Sequence, residues 1–174
     1  ELQASRTPAR IDGSGNPVLL AEQNRSRWDQ LLIQRGLGAL ARAAALGQTA
    51  GSYRLQAEIA ACHARARQAN DTDWCRISAR YQALLQLNPS PVIALNHAVA
   101  LSMAEGPAAA LPLVEGLLDE PLLQRYHWLN AVYGDLLLRL GRSGEARAAF
   151  EQAAALATNQ REQTLLHHKA RQCG

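Results

Sequence analysis

The chain has 174 residues, 48% of them apolar and only 5% aromatic, with a net charge of +3. That length suits one domain or a short helical array. The abundance of Ala and Leu over aromatic and β-branched residues favours packed helices over sheet. The mild positive charge comes almost wholly from arginines interleaved with acids. This describes solvated helix faces better than a nucleic-acid footprint. The three cysteines, Cys62, Cys75 and Cys173, lack the spacing of a disulfide framework or a zinc site, so reduced thiols in a cytoplasm are expected. No run reaches the roughly 20 apolar residues of a membrane span, and no signal-peptide pattern opens the chain.

Glu1 to Arg6 reads as the end of a helix, and the chain as a piece of something longer. Residues 7–24 form an irregular arm. Pro8, Gly13, Gly15 and Pro17 interrupt any helix, Asp12 to Asn16 is turn chemistry, and Val18-Leu19-Leu20 is extended, as in a hairpin. Asp12, Ser14 and Asn16 superficially match the start of a calcium loop. Pro17 stands where the sharp-turn glycine belongs and no bidentate Glu follows, so calcium is rejected.

Helical periodicity begins near Asn24. The first helix carries Trp28, Leu31, Leu32, Gly36 and Leu40 on one face and closes at Gly47 and Gly51. Ser52 is placed as the cap of a second helix that turns Leu55, Ile59, Ala60 and either Cys62 or His63 inward. Asn70 to Asp73 ends it and caps a third, with Trp74, Ile77, Tyr81 and Leu84. Asn88-Pro89-Ser90-Pro91 stops that helix and starts a fourth, from about 92 to 104. Glu105-Gly106-Pro107 leads to a fifth, reaching about Leu118, in which Pro112 must lie in the first turn or make a kink. Pro121 begins a sixth running to Leu140. Ser143 caps a seventh ending near Ala157, and the eighth covers about 160–171.

Short connectors force antiparallel neighbours. Leu95-Asn96 returns as Leu129-Asn130, 34 residues on, and Gly106 returns as Gly141 after 35. Tyr81 and Leu84, Val114 and Leu117, and Phe150 and Ala153 fill equivalent slots. A period of about 34 residues is that of tetratricopeptide helical hairpins. Gly134, Leu137, Gly141, Ala146, Phe150 and Ala153 make the last unit the most regular. The expected fold is all-α: about eight helices in antiparallel hairpins, forming a short tetratricopeptide-like right-handed superhelix after an irregular N-terminal arm. The arm takes residues 1–24 and the helical domain 25–174, with repeat-like units at about 58–90, 91–122 and 127–158.

Catalytic and metal-binding patterns are not found. Cys62-His63 with Cys75 lacks ligand spacing. His167 and His168 diverge by about 100 degrees on a helix. His63 and His97 lie among alanines, where a core histidine is favoured over a ligand. Asp71 and Asp73 suit capping better than acid–base chemistry, although a hydrolase built on Asp71, Asp73 and His63 stays open as the weakest reading. Trp28, Trp74 and Trp128 suit packing better than a stacking platform. No enzyme activity and no cofactor are expected. Asn96 and Asn130 lie on first helices of hairpins, the helices that line a tetratricopeptide groove. Leu95-Asn96-His97-Ala98 is similar to the Asn clamp of peptide-binding tetratricopeptide domains, without its lysine partner. An Asn that ties adjacent helices together is the alternative.

Several strings carry a more specific likeness. They are Glu1 to Arg6 followed by Pro8-Ala9-Arg10 and Asp12; Leu19 to Asp29, with Gln23-Asn24-Arg25-Ser26-Arg27-Trp28; Tyr53 to Ala64; and Asp71-Thr72-Asp73-Trp74 with Ile77, Tyr81, Pro89 to Val92 and Leu95-Asn96. Together they resemble the C-terminal extension of a group of extracytoplasmic-function RNA polymerase sigma factors. Asn24 stands where that group has Asp, and His97 where it has Arg. The resemblance implies a cytoplasmic transcription initiation factor. Core polymerase and promoter DNA would be bound by regions outside this sequence, and this segment would serve as a regulatory or protein-interaction module. Arg25, Arg27 and Arg35 are then candidates for contacts to the sigma regions, and Asn96 and Asn130 for a peptide-like partner. A generic tetratricopeptide adaptor unrelated to transcription is the alternative.

Overall fold

The computed structural model describes residues 1–13, 15, 18–20, 22–47 and 51–174. Ser14, Asn16 and Pro17 of the arm, and so all the positions named for the rejected calcium loop but Asp12, lie outside the described residues. Among the described residues the chain is all-helical, with eight α-helices: α1 (Gln30–Ala45), α2 (Ser52–Arg65), α3 (Trp74–Leu87), α4 (Pro91–Glu105), α5 (Pro107–Glu115), α6 (His127–Arg139), α7 (Ser143–Leu156) and α8 (Gln160–Gln172). Short 3-10 turns occupy Ala4–Ala9, Arg25–Arg27, Ala69–Asp71 and Pro121–Leu123. The chain divides into two compact units, Glu1–Asn88 and Pro89–Gly174.

In the first unit, α1 starts later than its periodicity suggests. The Asp29 carboxylate accepts the Leu32 N–H at 3.0 Å and fixes the start. Trp28 therefore precedes the helix, where it is buried with Ala9 and Ile33. The inward face of α1 is Ile33 and Gly36, and Leu31 points outward at 63% exposure. Gly51 is the N-cap of α2, and Ser52 is its first helical residue. Pro8 does not break the N-terminal segment: it lies inside the 3-10 turn, whose looser bonding tolerates a missing N–H. Leu2 lies on Gly36, where a Cβ would come within 2.7 Å of the Leu2 Cγ. The absence of a side chain there is what lets the N-terminal segment lie flat on α1. Within the arm, the Val18 N–H donates to the Arg10 carbonyl at 2.8 Å.

In the second unit α4 packs on α5, α5 on α6, α6 on α7 and α7 on α8. Leu95, Ala98, Ala110, Val114, Leu129 and Leu136 form one core cluster. A second gathers Leu137, Ala146, Phe150, Ala153, Leu166 and Ala170. Pro112 lies in neither a first turn nor at a helix end: it sits inside α5, which stops three residues later at Glu115, short of the expected Leu118. The sixth helix begins at His127 rather than Pro121, because Pro121–Leu123 closes as a separate 3-10 turn.

The turn after α6 is a Schellman motif. The Arg142 N–H reaches the Leu137 carbonyl at 2.9 Å, and the Gly141 N–H reaches Leu138 at 3.0 Å. This places Gly141 at φ +78°, a left-handed conformation that disfavours side chains. Arg142 rather than Ser143 stands at the N-cap of α7, and its guanidinium is bidentate to Glu145 at 2.7 and 2.6 Å. Gly134 is required by contact instead of by dihedral. A Cβ there would fall 2.9 Å from the Phe150 ring, and that ring is 0% exposed and has nowhere to turn. Gly134→Ala should therefore destabilise the unit by about 1–3 kcal/mol through overpacking, less up to about 1 kcal/mol regained in helix propensity. Urea unfolding measures the net loss.

Candidate functional site

The five residues singled out in the sequence are divided between the two units. Asn96 is exposed on α4 and Asn130 is half-buried on α6, in the second unit. Arg25, Arg27 and Arg35 belong to the first. Neither asparagine side chain forms a hydrogen bond among the described residues, so the tie between neighbouring helices falls elsewhere. Arg139 on α6 makes it, donating to the Ser102 hydroxyl at 2.5 Å and to the Ser102 carbonyl at 3.2 Å. Ser102 is 3% exposed, and a lone serine in an apolar helix gives no sign of that role in sequence. Around Asn96, Val92 and Met103 are exposed on α4. Trp128 on α6 is 37% exposed, with its ring 4.9 Å from that of His127, so it is not the core tryptophan its spacing suggested.

Arg27 and Arg35 are exposed; Arg35 pairs with Glu1 at 3.4 Å, an exposed contact worth little. Arg25 is different. It is 9% exposed, which removes it from any outward-facing patch. Its guanidinium donates to the carbonyls of His63 at 2.8 Å and Ala66 at 2.9 Å, and to the Thr72 hydroxyl at 3.0 Å. It also lies 5.0 Å from the centre of the Trp28 ring. The two carbonyls belong to the end of α2, where unpaired acceptors and the helix dipole favour a cation.

His63 is buried and edge-on to Trp74, with ring centroids 5.3 Å apart. Burial, and then the charges of Arg6 and Arg25, lower its pKa to about 4. The folded state thus holds a neutral imidazole, while the unfolded chain takes up a proton near pH 6.5. Stability from this residue is full above about pH 6.5 and is lost as pH falls toward 4, by up to about 3 kcal/mol. A His63→Leu variant should show a flatter stability profile between pH 7 and 4 in urea titrations; an unchanged slope would assign the acid sensitivity to other groups.

Asp73 accepts the Arg76 N–H at 2.9 Å and caps α3, and Asp71 accepts the Gln68 N–H at 3.2 Å. With Cys62, Arg65 and Arg76 they line a cleft of about 410 Å³. Neither carboxylate hydrogen-bonds His63 among the described residues, so the three are not wired as an acid–base set. All three cysteines are free thiols: Cys62 and Cys173 are buried, and Cys75 is exposed. Among the described residues no group of three or more His, Cys, Asp or Glu side chains is placed to hold a metal ion. No helix among them is long and apolar enough to cross a membrane. A groove of about 610 Å³ beside Leu2, Gly36, Leu40, Tyr53 and Ala57 includes none of the five candidate residues.

Residues 1–44 match the model of a family of unknown function, DUF6596. The chain is 48% identical over 158 residues to an uncharacterised protein of Rhizobium meliloti (strain 1021). That alignment covers 91% of this chain and 37% of the relative, so the chain spans little more than a third of the curated protein it matches. No solved structure matches the chain.

Proposed function

We propose that this chain is the C-terminal regulatory and protein-interaction region of an RNA polymerase sigma factor of the extracytoplasmic-function group. The observation that carries this reading is the set of strings at Leu19–Asp29, Tyr53–Ala64 and Asp71–Asn96, which is far more specific than a helical repeat. A relative of which the chain spans 37% leaves room for separate polymerase- and promoter-binding regions. On this reading the segment has no enzymatic activity of its own and works in the cytoplasm. It touches the sigma regions of its own chain through exposed Arg27 and Arg35, while Arg25 acts from the interior by holding the end of α2. In reconstituted transcription with core polymerase, the longer protein should initiate at a specific promoter. Removing residues 1–174 should change the initiation rate, and Arg27→Ala should shift it in the same direction. A longer protein that does not bind core polymerase would sink the proposal.

The second reading, a tetratricopeptide adaptor unrelated to transcription, draws on the exposed α4 face of Val92, Asn96 and Met103. Its signature would be a peptide that binds the isolated chain, loses affinity in Asn96→Ala, and has no connection to polymerase.

A further inference from the structure

We propose that the cleft at the end of α2 binds a small acidic amino acid, glutamate-like in carrying two carboxylates, one ammonium and a short methylene stem. Hydrogen bonds to the backbone build the cleft. Arg25 ties the His63 and Ala66 carbonyls, at the end of α2, to Thr72, just before α3. Asp71 and Asp73 fix the stretch between the helices by accepting the Gln68 and Arg76 N–H groups. Arg65 and Arg67, from the end of α2, and Asp71, Asp73 and Arg76, from the turn that leads into α3, then line one cavity with Cys62 and Ala66. Its volume of about 410 Å³ falls within the range of about 300–1,000 Å³ usual for small-molecule pockets.

The lining divides by chemistry. Its floor is small and weakly polar: Cys62 and Ala66 are 4% and 8% exposed. Its rim is charged, and all five charged residues are exposed. The Cys62 thiol makes no hydrogen bond among the described residues, although it is a weak donor. Burial, seconded by Asp73, pushes this thiol up against the fields of Arg76, Arg65 and Arg80. It stays protonated and is no nucleophile, so the cleft has the makings of a binding site and lacks those of a catalytic one.

The charges of the rim do not satisfy one another. Neither Arg65, Arg67 nor Arg76 makes a side-chain hydrogen bond or ion pair among the described residues, although two carboxylates line the same cleft. Asp71 and Asp73 each spend one oxygen on a backbone N–H, and the other oxygen has no partner among the described residues. Opposite charges that share a cleft without pairing leave room between them for a ligand that carries both signs. Guanidinium forks match carboxylate oxygens pairwise, and an ammonium suits the remaining Asp oxygens. Three lining cations against two lining anions leave one positive charge, which the single net negative charge of an acidic amino acid cancels. The methylene stem then lies on Cys62 and Ala66. A plain dicarboxylate would have nothing to offer Asp71 and Asp73, and phosphate has no stem for the floor.

This site is independent of what the longer protein does. L-glutamate, titrated into the 174-residue chain at constant ionic strength, should raise its thermal midpoint saturably, while chloride should not. It should also slow the labelling of Cys62 by iodoacetamide, read cysteine by cysteine with peptide mass spectrometry. Exposed Cys75, which does not line the cleft, should be labelled at an unchanged rate. Glutarate, which lacks the ammonium, and glutamine, which lacks the second carboxylate, should each bind about fivefold more weakly. Arg76→Gln should weaken glutamate binding by about fivefold, and Arg65→Gln combined with Arg76→Gln by about tenfold or more. Arg35→Gln, which removes an exposed cation outside the cleft, should bind glutamate as the parent does. The proposal is overturned if glutamate stabilises no more than chloride, if glutarate or glutamine binds as well as glutamate, or if the double variant binds unchanged.

Discussion

Phe150→Ala should lower the stability of the Pro89–Gly174 unit by about 3–5 kcal/mol, the usual range for emptying a fully buried aromatic site. Phe150 is 0% exposed and stands between α6 and α8. Its ring covers the bare backbone of Gly134, and Lys169 on α8 lies 5.5 Å from its centre. Lys169 is held there by Asp135 on α6, at 2.8 and 3.1 Å. One side chain thus joins three helices. Because Gly134 and Phe150 share one contact, their effects should not add. Gly134→Ala should cost less in a Phe150→Leu background, where the clash is relieved, than in the parent. Denaturation followed by fluorescence in a variant keeping Trp128 as its sole tryptophan would report this unit alone. A loss below about 1 kcal/mol would mean that the site collapses around the missing ring.

The same contact shows what the sequence discloses and where it stops. Gly134, Gly141, Ala146 and Phe150 are spaced so that a small residue meets a large one and a glycine ends a helix. Spacing of that kind encodes local geometry, and the all-helical hairpin fold follows from it. Proline and glycine likewise mark the starts of α4 and α5 and the turn at Gly141 to within one or two residues. The errors occur where a competing local bond decides. Asp29 caps α1 and pushes Trp28 out of the helix, while Glu120 accepts the Leu122 N–H at 3.3 Å and closes Pro121–Leu123 as its own turn. Ser52 and Ser143 are first helical residues rather than caps, one position beyond Gly51 and Arg142, because a good capping residue type is also at home in a first turn. The candidate site was harder still. Arginines read alike in a sequence, and only the structure separates exposed Arg27 and Arg35 from buried Arg25. What distinguishes Arg25 is a set of partners 38 to 47 residues away, and no local pattern encodes such a distance.

Arg25→Met should destabilise the Glu1–Asn88 unit by about 3–5 kcal/mol, as breaking a buried charged network does. The methionine keeps much of the aliphatic stem over Trp28 but leaves the carbonyls of His63 and Ala66, and the Thr72 hydroxyl, without their donor. Each orphaned buried acceptor costs about 1–3 kcal/mol. The end of α2 and the 3-10 turn that leads into α3 are then no longer joined. Arg25→Lys should recover only part of the loss, since one ammonium cannot span two carbonyls and a hydroxyl in the fixed plane of the fork. Removing this charge has an opposite, smaller effect next door. Arg25 helps to hold His63 neutral, so in Arg25→Met the imidazole should titrate above its value of about 4. NMR titration of the His63 ring would separate the two consequences. A raised His63 pKa with near-parental stability would show that Arg25 acts chiefly as a charge; lost stability with an unmoved pKa would show that it acts chiefly as a clamp. The four contacts of Arg25 predict that both change, with the loss of the clamp the larger effect.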